Sequence, residues 1–183
     1  MYQRGTGVLQ NFKEAFKWFK LSANQGSMQA QLNLGVMYKN GNGVRQDNNE
    51  AVKWFKLSAN QGFAIAQYNL GLMYQTGHGV LQDYEQAINW HKLSAGQGYN
   101  SAQLTLGRLY ASGELGSKDY VLAYKWFSMA SIEGNKEADI HKVKLEKIMS
   151  ASQIEKANEL TKDQNLKSSN SKQTKACTHQ PSF

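Results

Sequence analysis

Four histidines, one cysteine and one Ser-x-x-Lys sequence are the residues of this chain whose types suit metal binding or nucleophilic chemistry. A zinc site needs its ligands in register, for example two histidines four residues apart on one helix, or cysteines in pairs. His78, His91, His141 and His179 show no such spacing, and Cys177 has no second cysteine to join it. Ser169-Asn170-Ser171-Lys172 places a lysine about one helical turn from a serine, as some acyl-transfer enzymes require. It falls in a stretch of Ser, Asn, Lys, Gln and Thr with little to bury. Composition predicts that residues 165–183 form a disordered tail, which would not hold the pair in register. The sequence therefore predicts no metal site, no cofactor and no catalytic activity.

The elements that would have to position any site are written in the spacing of tryptophan. Trp18, Trp54, Trp90 and Trp126 are the four tryptophans of the chain, each 36 residues after the last. A fixed period of this size marks a repeat array, in which each repeat is a packing unit and function lies on the stacked surface. The same register recovers further columns. Ala15, Ala51, Ala87 and Ala123 stand three residues before each tryptophan, and Phe19, Phe55, His91 and Phe127 directly after it. Gly26, Gly62, Gly98 and Gly134 close that segment. Leu34-Gly35, Leu70-Gly71 and Leu106-Gly107 follow, then Tyr38, Tyr74 and Tyr110, then Gly-x-Gly turns at Gly41/Gly43 and Gly77/Gly79.

The helical spacing within these columns predicts two helices per repeat. Helix A precedes the Gly-x-Gly turn and covers 28–39 in the first complete repeat; helix B carries the tryptophan and covers 47–60. Asn11, Asp47, Asp83 and Asp119 stand where the B helices need N-caps. Glu14, Glu50 and Gln86, three residues on, complete capping boxes in three of the four. The predicted fold is all-α: a right-handed α-α superhelix of helix-turn-helix repeats at 27–62, 63–98 and 99–134. A partial repeat at 1–26 precedes them and degenerate capping helices at 135–164 follow, the last opened by Ser150 and Gln153 and running to about residue 163. Each tryptophan is expected to pack between helices.

Columns that vary while the core columns do not are the candidates for binding. On helix A these are Gln29, Ile65 and Ser101; Leu32, Tyr68 and Leu104; Asn33, Asn69 and Thr105; and Val36, Leu72 and Arg108. Two roles fit them. They line a concave groove, with Leu and Tyr as apolar anchors and Asn and Gln bonding a peptide backbone, or they pack against the adjacent repeat. On helix B, Lys17, Lys53 and Lys125, and Lys20, Lys56 and Lys92, form columns that suit a solvated outer face or a track for an acidic partner.

The pattern Ala-x-x-Trp-Phe-x-x-(Ser/Ala)-Ala-x-x-Gly, followed by Ala-x-x-x-Leu-Gly-x-x-Tyr-x-x-Gly-x-Gly, resembles the Sel-1-like repeat family across residues 1–149. The tetratricopeptide repeat is the nearest rival, with a period of about 34. The period of 36, the Gly-x-Gly turn and the absence of proline from the repeats favour the Sel-1-like assignment. The resemblance implies a non-catalytic scaffold or adaptor for a protein or peptide partner. Cysteine-rich relatives linked to β-lactam binding or hydrolysis imply an alternative, but their paired cysteines are absent here. A structural spacer of a longer protein is a second alternative.

Met1-Tyr2 aligns with Met37-Tyr38, the last turn of a helix A. The chain is expected to be a fragment of a longer one, with apolar surface exposed around Phe12, Phe16 and Phe19. Its net charge of +7 divides into +4 over residues 1–134 and +3 over 135–183, with no dense basic block. Nucleic-acid binding wants a basic stripe or stacking platforms, so no nucleic-acid partner is expected. No apolar run reaches the roughly 18 residues of a membrane span. The chain is expected to be soluble: cytoplasmic, or in a bacterial envelope or secreted if a signal peptide lies upstream.

Overall fold

The computed structural model describes residues 11–177, with side chains as far as residue 166. Among these it forms α1 (Phe12–Asn24), α2 (Met28–Asn40), α3 (Asn48–Asn60), α4 (Ala64–Thr76), α5 (Tyr84–Gly96), α6 (Asn100–Ser112), α7 (Tyr120–Ile132), α8 (Lys136–Glu146) and α9 (Ala151–Cys177), and no strand. The fold is all-α, built of helical hairpins that repeat with the tryptophans. α2, α4 and α6 are A helices; α1, α3, α5 and α7 are B helices.

Local chemistry sets the boundaries. The carboxylate of Asp47 accepts from the backbone N–H groups of Asn49 and Glu50, at 2.9 and 3.1 Å. Asn11, Asp83 and Asp119 cap α1, α5 and α7 in the same way. The expected capping boxes on these helices form only by half. Glu14 and Glu50 reach forward to Lys17 and Lys53, each at 3.1 Å, instead of back to the cap. The cap N–H groups already have partners: those of Asp47, Asp83 and Asp119 donate to the carbonyls of Tyr38, Tyr74 and Tyr110. The tyrosine column thus ties the end of each A helix to the start of the next B helix. Among the described residues only Ser150 and Gln153 close a reciprocal box, at the start of α9.

The second glycine of the Gly-x-Gly turn answers two demands. Gly79 has φ of +75°, and a Cβ there would lie 2.3 Å from the carbonyl oxygen of Asn48, at the first turn of the preceding B helix. Only glycine meets both.

The chain forms two compact units, Met1–Ser94 and Ala95–Phe183. In the first, Trp54 is buried among Ala23 of α1 and Ala30 and Leu34 of α2. The next cluster joins Leu32, Ala51, Val52, Phe55, Ala66 and Leu70, with Trp90 packed against it. The Leu-Gly column has a direct purpose: a Cβ on Gly35 would lie 2.4 Å from the Phe55 ring, and one on Gly71 would lie 2.7 Å from His91. The ring after each tryptophan fills the space that the glycine leaves. In the second unit Gly107 and Phe127 repeat this fit, and α9 packs along α7.

A polar column joins the apolar ones. Gln31, Gln67 and Gln103 are buried, and each donates its side-chain amide to the carbonyl of Ala23, Ala59 or Ala95, eight residues back, at 3.2–3.3 Å. These bonds add a second donor to carbonyls at the C-terminal ends of the B helices, which also accept from the backbone N–H groups of Gly26, Gly62 and Gly98. The hydroxyls of Ser58 and Ser94 likewise donate to the carbonyls of Met28 and Ala64, at 2.8 and 2.7 Å.

Three further expectations are overturned. The helix expected to end near 163 runs to Cys177, so most of the stretch read as disordered is helical. Its composition is poor in apolar residues, but no Gly or Pro interrupts it, and Lys, Gln, Leu and Ala propagate a helix once one is nucleated. Residues 178–183 lie outside the described residues. The tryptophans are also unequal. Trp54 and Trp126 are 8% and 4% exposed, Trp90 is half-buried, and Trp18 is 58% exposed. Phe12, Phe16 and Phe19, expected to lie bare, are half-buried, and the exposed apolar residues of α1 are Trp18 and Leu21.

Candidate functional site

The helix A columns separate once burial is known. Leu32 and Leu104 are buried and belong to the packing between hairpins, so neither is an accessible anchor. Val36 and Ile65 are half-buried against the core cluster that contains Leu32. Tyr68 is half-buried beside His91, with ring centroids 5.4 Å apart. Gln29 is exposed, and Asn33, Asn69, Leu72 and Thr105 are partly exposed. Asn69 donates one amide N–H to the carbonyl of Ile65 at 2.8 Å. Arg108 is exposed but forms an ion pair with Glu137 of α8. The positions brought together on the first unit are therefore Gln29, Asn33 and Val36 on α2, with Ile65, Tyr68, Asn69 and Leu72 on α4. Thr105 and Arg108 belong to the second unit.

The histidines of the described residues sit in different settings. His91 is wholly buried in the berth that phenylalanine fills in the other repeats, and neither ring nitrogen has a partner. Burial pushes it down to about 4, so it is neutral near pH 7. His141 stacks on Phe127 with centroids 4.7 Å apart. Burial lowers its pKa, the Arg108 guanidinium lowers it further, and Glu137 partly opposes both. His78 lies exposed in a turn. No group of three or more His, Cys, Asp or Glu side chains among the described residues could hold a metal ion. Ser169, Lys172 and Cys177 fall on α9 beyond the described side chains, and His179 lies outside the described residues. A surface hollow of about 470 Å³ lies where α2 meets α3, lined by Tyr38, Val44, Arg45, Gln46, Asp47 and Asn48. Its one carboxylate, Asp47, is engaged as the cap of α3.

The buried glutamine column is the feature that the sequence reading passed over. Its signal is plain in hindsight, since Gln31, Gln67 and Gln103 keep the same 36-residue spacing as the tryptophans.

The repeat geometry has clear relatives. The Sel1 repeat model matches residues 1–27, 29–63, 64–99 and 100–135. The chain belongs to the Sel1 repeat family. Among solved structures it is similar to a Sel1 repeat protein from Oxalobacter formigenes, at 38% identity and a TM-score of 0.75, with 79% of this chain and 59% of that one covered. It is also similar to c5321, a protective antigen of uropathogenic Escherichia coli with an SLR fold. There the identity is 33% and the TM-score 0.82, with 100% of this chain and 39% of that one covered. The chain thus spans less than two thirds of either relative. Comparison with curated proteins gives no match. Sel1 repeats are protein-binding modules, generally interaction scaffolds and typically non-catalytic. No helix among the described residues is long and apolar enough to cross a membrane.

Proposed function

We propose that this Sel1 repeat chain is a non-catalytic scaffold that binds an extended peptide or protein segment on the A-helix face of its first unit. The observation that carries this reading is the pair Asn33 and Asn69. They stand at the same register on α2 and α4, both partly exposed, with Val36 and Leu72 one turn further on. Amides at a repeat spacing can bond successive stretches of peptide backbone, and a partly exposed leucine beside them supplies an apolar anchor. One N–H of Asn69 is used within α4, which leaves its carbonyl oxygen and second N–H for a ligand. Nucleic acid is the poorer fit, because the positive charge is dispersed and Arg108, the arginine of this register, is paired.

The test is peptide display against the whole chain, with affinities of selected peptides measured by calorimetry. Asn33→Ala, Asn69→Ala and Leu72→Arg together should weaken them by about tenfold or more, with the melting temperature nearly unchanged. Peptides that bind the triple variant as tightly as the parent would remove the A-helix face from consideration. A spacer would yield no selected peptides.

A further inference from the structure

α8 stands at the register of an A helix, since Ala138 falls in the column of Ala30, Ala66 and Ala102. In α2 and α6 the residues two and five places after that alanine meet the B helix that follows. Leu32 is buried with Ala51, Val52 and Phe55 of α3, and Gly35 takes the Phe55 ring. Leu104 is likewise buried, and Gly107 takes the Phe127 ring of α7. On α8 the same two positions hold Ile140 and Val143, which are 57% and 53% exposed. α9 follows α8 in the chain but packs along α7. Among the described residues, the seat that a B helix fills on α2 and α6 is thus uncovered on α8.

Charge and size decide what fits this seat. Lys136, Lys144 and Lys147 lie at helical spacing from Ile140 and Val143 and share their exposed stripe. Among the described residues these lysines join no ion pair. The carboxylates of α8 are engaged instead within the chain: Glu137 with Arg108, Asp139 with Ser131 and Glu146 with Tyr124. The face is therefore an apolar pair edged with uncompensated positive charge. A second copy of the chain, at net +7, is a poor complement to it. Size excludes the chain's own kind of B helix as well. A Cβ on Gly107 would lie 2.5 Å from the Phe127 ring, so the ring after tryptophan needs the room that glycine leaves. On α8 the branched side chain of Val143 takes up that room.

We propose that this face of α8 docks an acidic amphipathic α-helix of a partner protein, seated as α3 sits on α2 and α7 on α6. The partner carries a small residue opposite Val143, where the repeats carry phenylalanine. Ile140 supplies the apolar contact, and the lysines gain charge-assisted contacts from the partner's carboxylates. One carboxylate has a defined place. Lys53 of α3 stands near enough to Tyr38, in the last turn of α2, to act on its hydroxyl. The same register on an occupant faces the end of α8 that carries Lys144 and Lys147. This seat belongs to the second unit, and its test does not depend on the peptide-binding reading of the first.

The probe is a stapled, fluorescein-labelled helix with the sequence of residues 119–134, carrying Phe127→Ala for size and Lys125→Glu for charge. Binding to the full chain is followed by anisotropy at low and high salt. Saturable binding is expected, weakening by about tenfold or more in the Ile140→Ser, Val143→Ser double variant. A similar loss is expected in Lys144→Glu, Lys147→Glu and on raising salt. Both variants alter exposed side chains, so circular dichroism should show unchanged helicity. Control helices that keep Lys125 or keep Phe127 should each bind about tenfold more weakly than the probe. Four results would overturn the proposal: no saturable binding, binding indifferent to both chain variants, equal binding by either control helix, or self-association of the chain that Ile140→Ser, Val143→Ser abolishes. The last would assign the face to a second copy.

Discussion

His91 shows how one substitution in a repeated column changes the physics of a fold. Three repeats place phenylalanine after tryptophan; this one places an imidazole in the same closed berth, over Gly71 and beside Tyr68. Both nitrogens are buried without partners, a desolvation cost of about 1–3 kcal/mol for each unmet group. The pKa falls from 6.5 to about 4 because burial disfavours the charged ring. A free histidine takes up its proton near 6.5, so the unfolded chain binds one that the folded chain refuses. Stability is complete above that value and falls as pH drops from 6.5 to about 4, a loss of about 3 kcal/mol across the window. His91→Phe should therefore raise stability at neutral pH by about 1–3 kcal/mol and flatten its dependence between those values. Urea melts at intervals across that range measure both. A variant with the parent's pH slope would show that other groups set the acid sensitivity.

At the scale of the element, the capping residues were legible and their partners were not. Asp47 caps α3 as its position before the helix requires. The spacing to Glu50 suggested reciprocity, yet the N–H that Glu50 would have bonded donates to Tyr38, nine residues upstream. A local motif cannot reveal a competing acceptor supplied by another helix. The two residues should consequently behave differently. Asp47→Ala strands two N–H groups and is expected to cost about 1 kcal/mol, within the range of about 0.5–2 for lost caps. Glu50→Ala removes an exposed i,i+3 pair with Lys53 and should cost at most about 0.5 kcal/mol. Chemical denaturation of the two single variants separates these outcomes, and equal losses would restore the reciprocal box. The same limit explains α9: composition shows how little a segment can bury, but not that a well-capped helix, seated on α7, continues past that seat.

At the scale of the whole molecule, the tryptophan register made the hairpins and their core columns readable, because packing between repeats forces the same residue types to recur. Exposure within the register was not readable. Leu32 and Tyr68 share a column, yet one is core and the other half-buried beside a histidine, since each depends on the ring that the following B helix presents. The tryptophans carry the same lesson into energetics. Trp54 is buried by residues of the two helices before it, Ala23, Ala30 and Leu34. At the same register on α1, Trp18 is more than half exposed. Identical residues at identical register should then differ in worth. Trp54→Ala is expected to cost about 3–5 kcal/mol, as for other buried large aromatics, whereas Trp18→Ala should cost less than about 1 kcal/mol. Fluorescence gives an independent check, because Trp18 accounts for most of the exposed indole surface. Acrylamide should quench a component of the emission that Trp18→Phe abolishes and Trp54→Phe leaves in place. Equal destabilisation by the two alanine variants, with quenching unchanged in Trp18→Phe, would mean that Trp18 is covered in solution as Trp54 is.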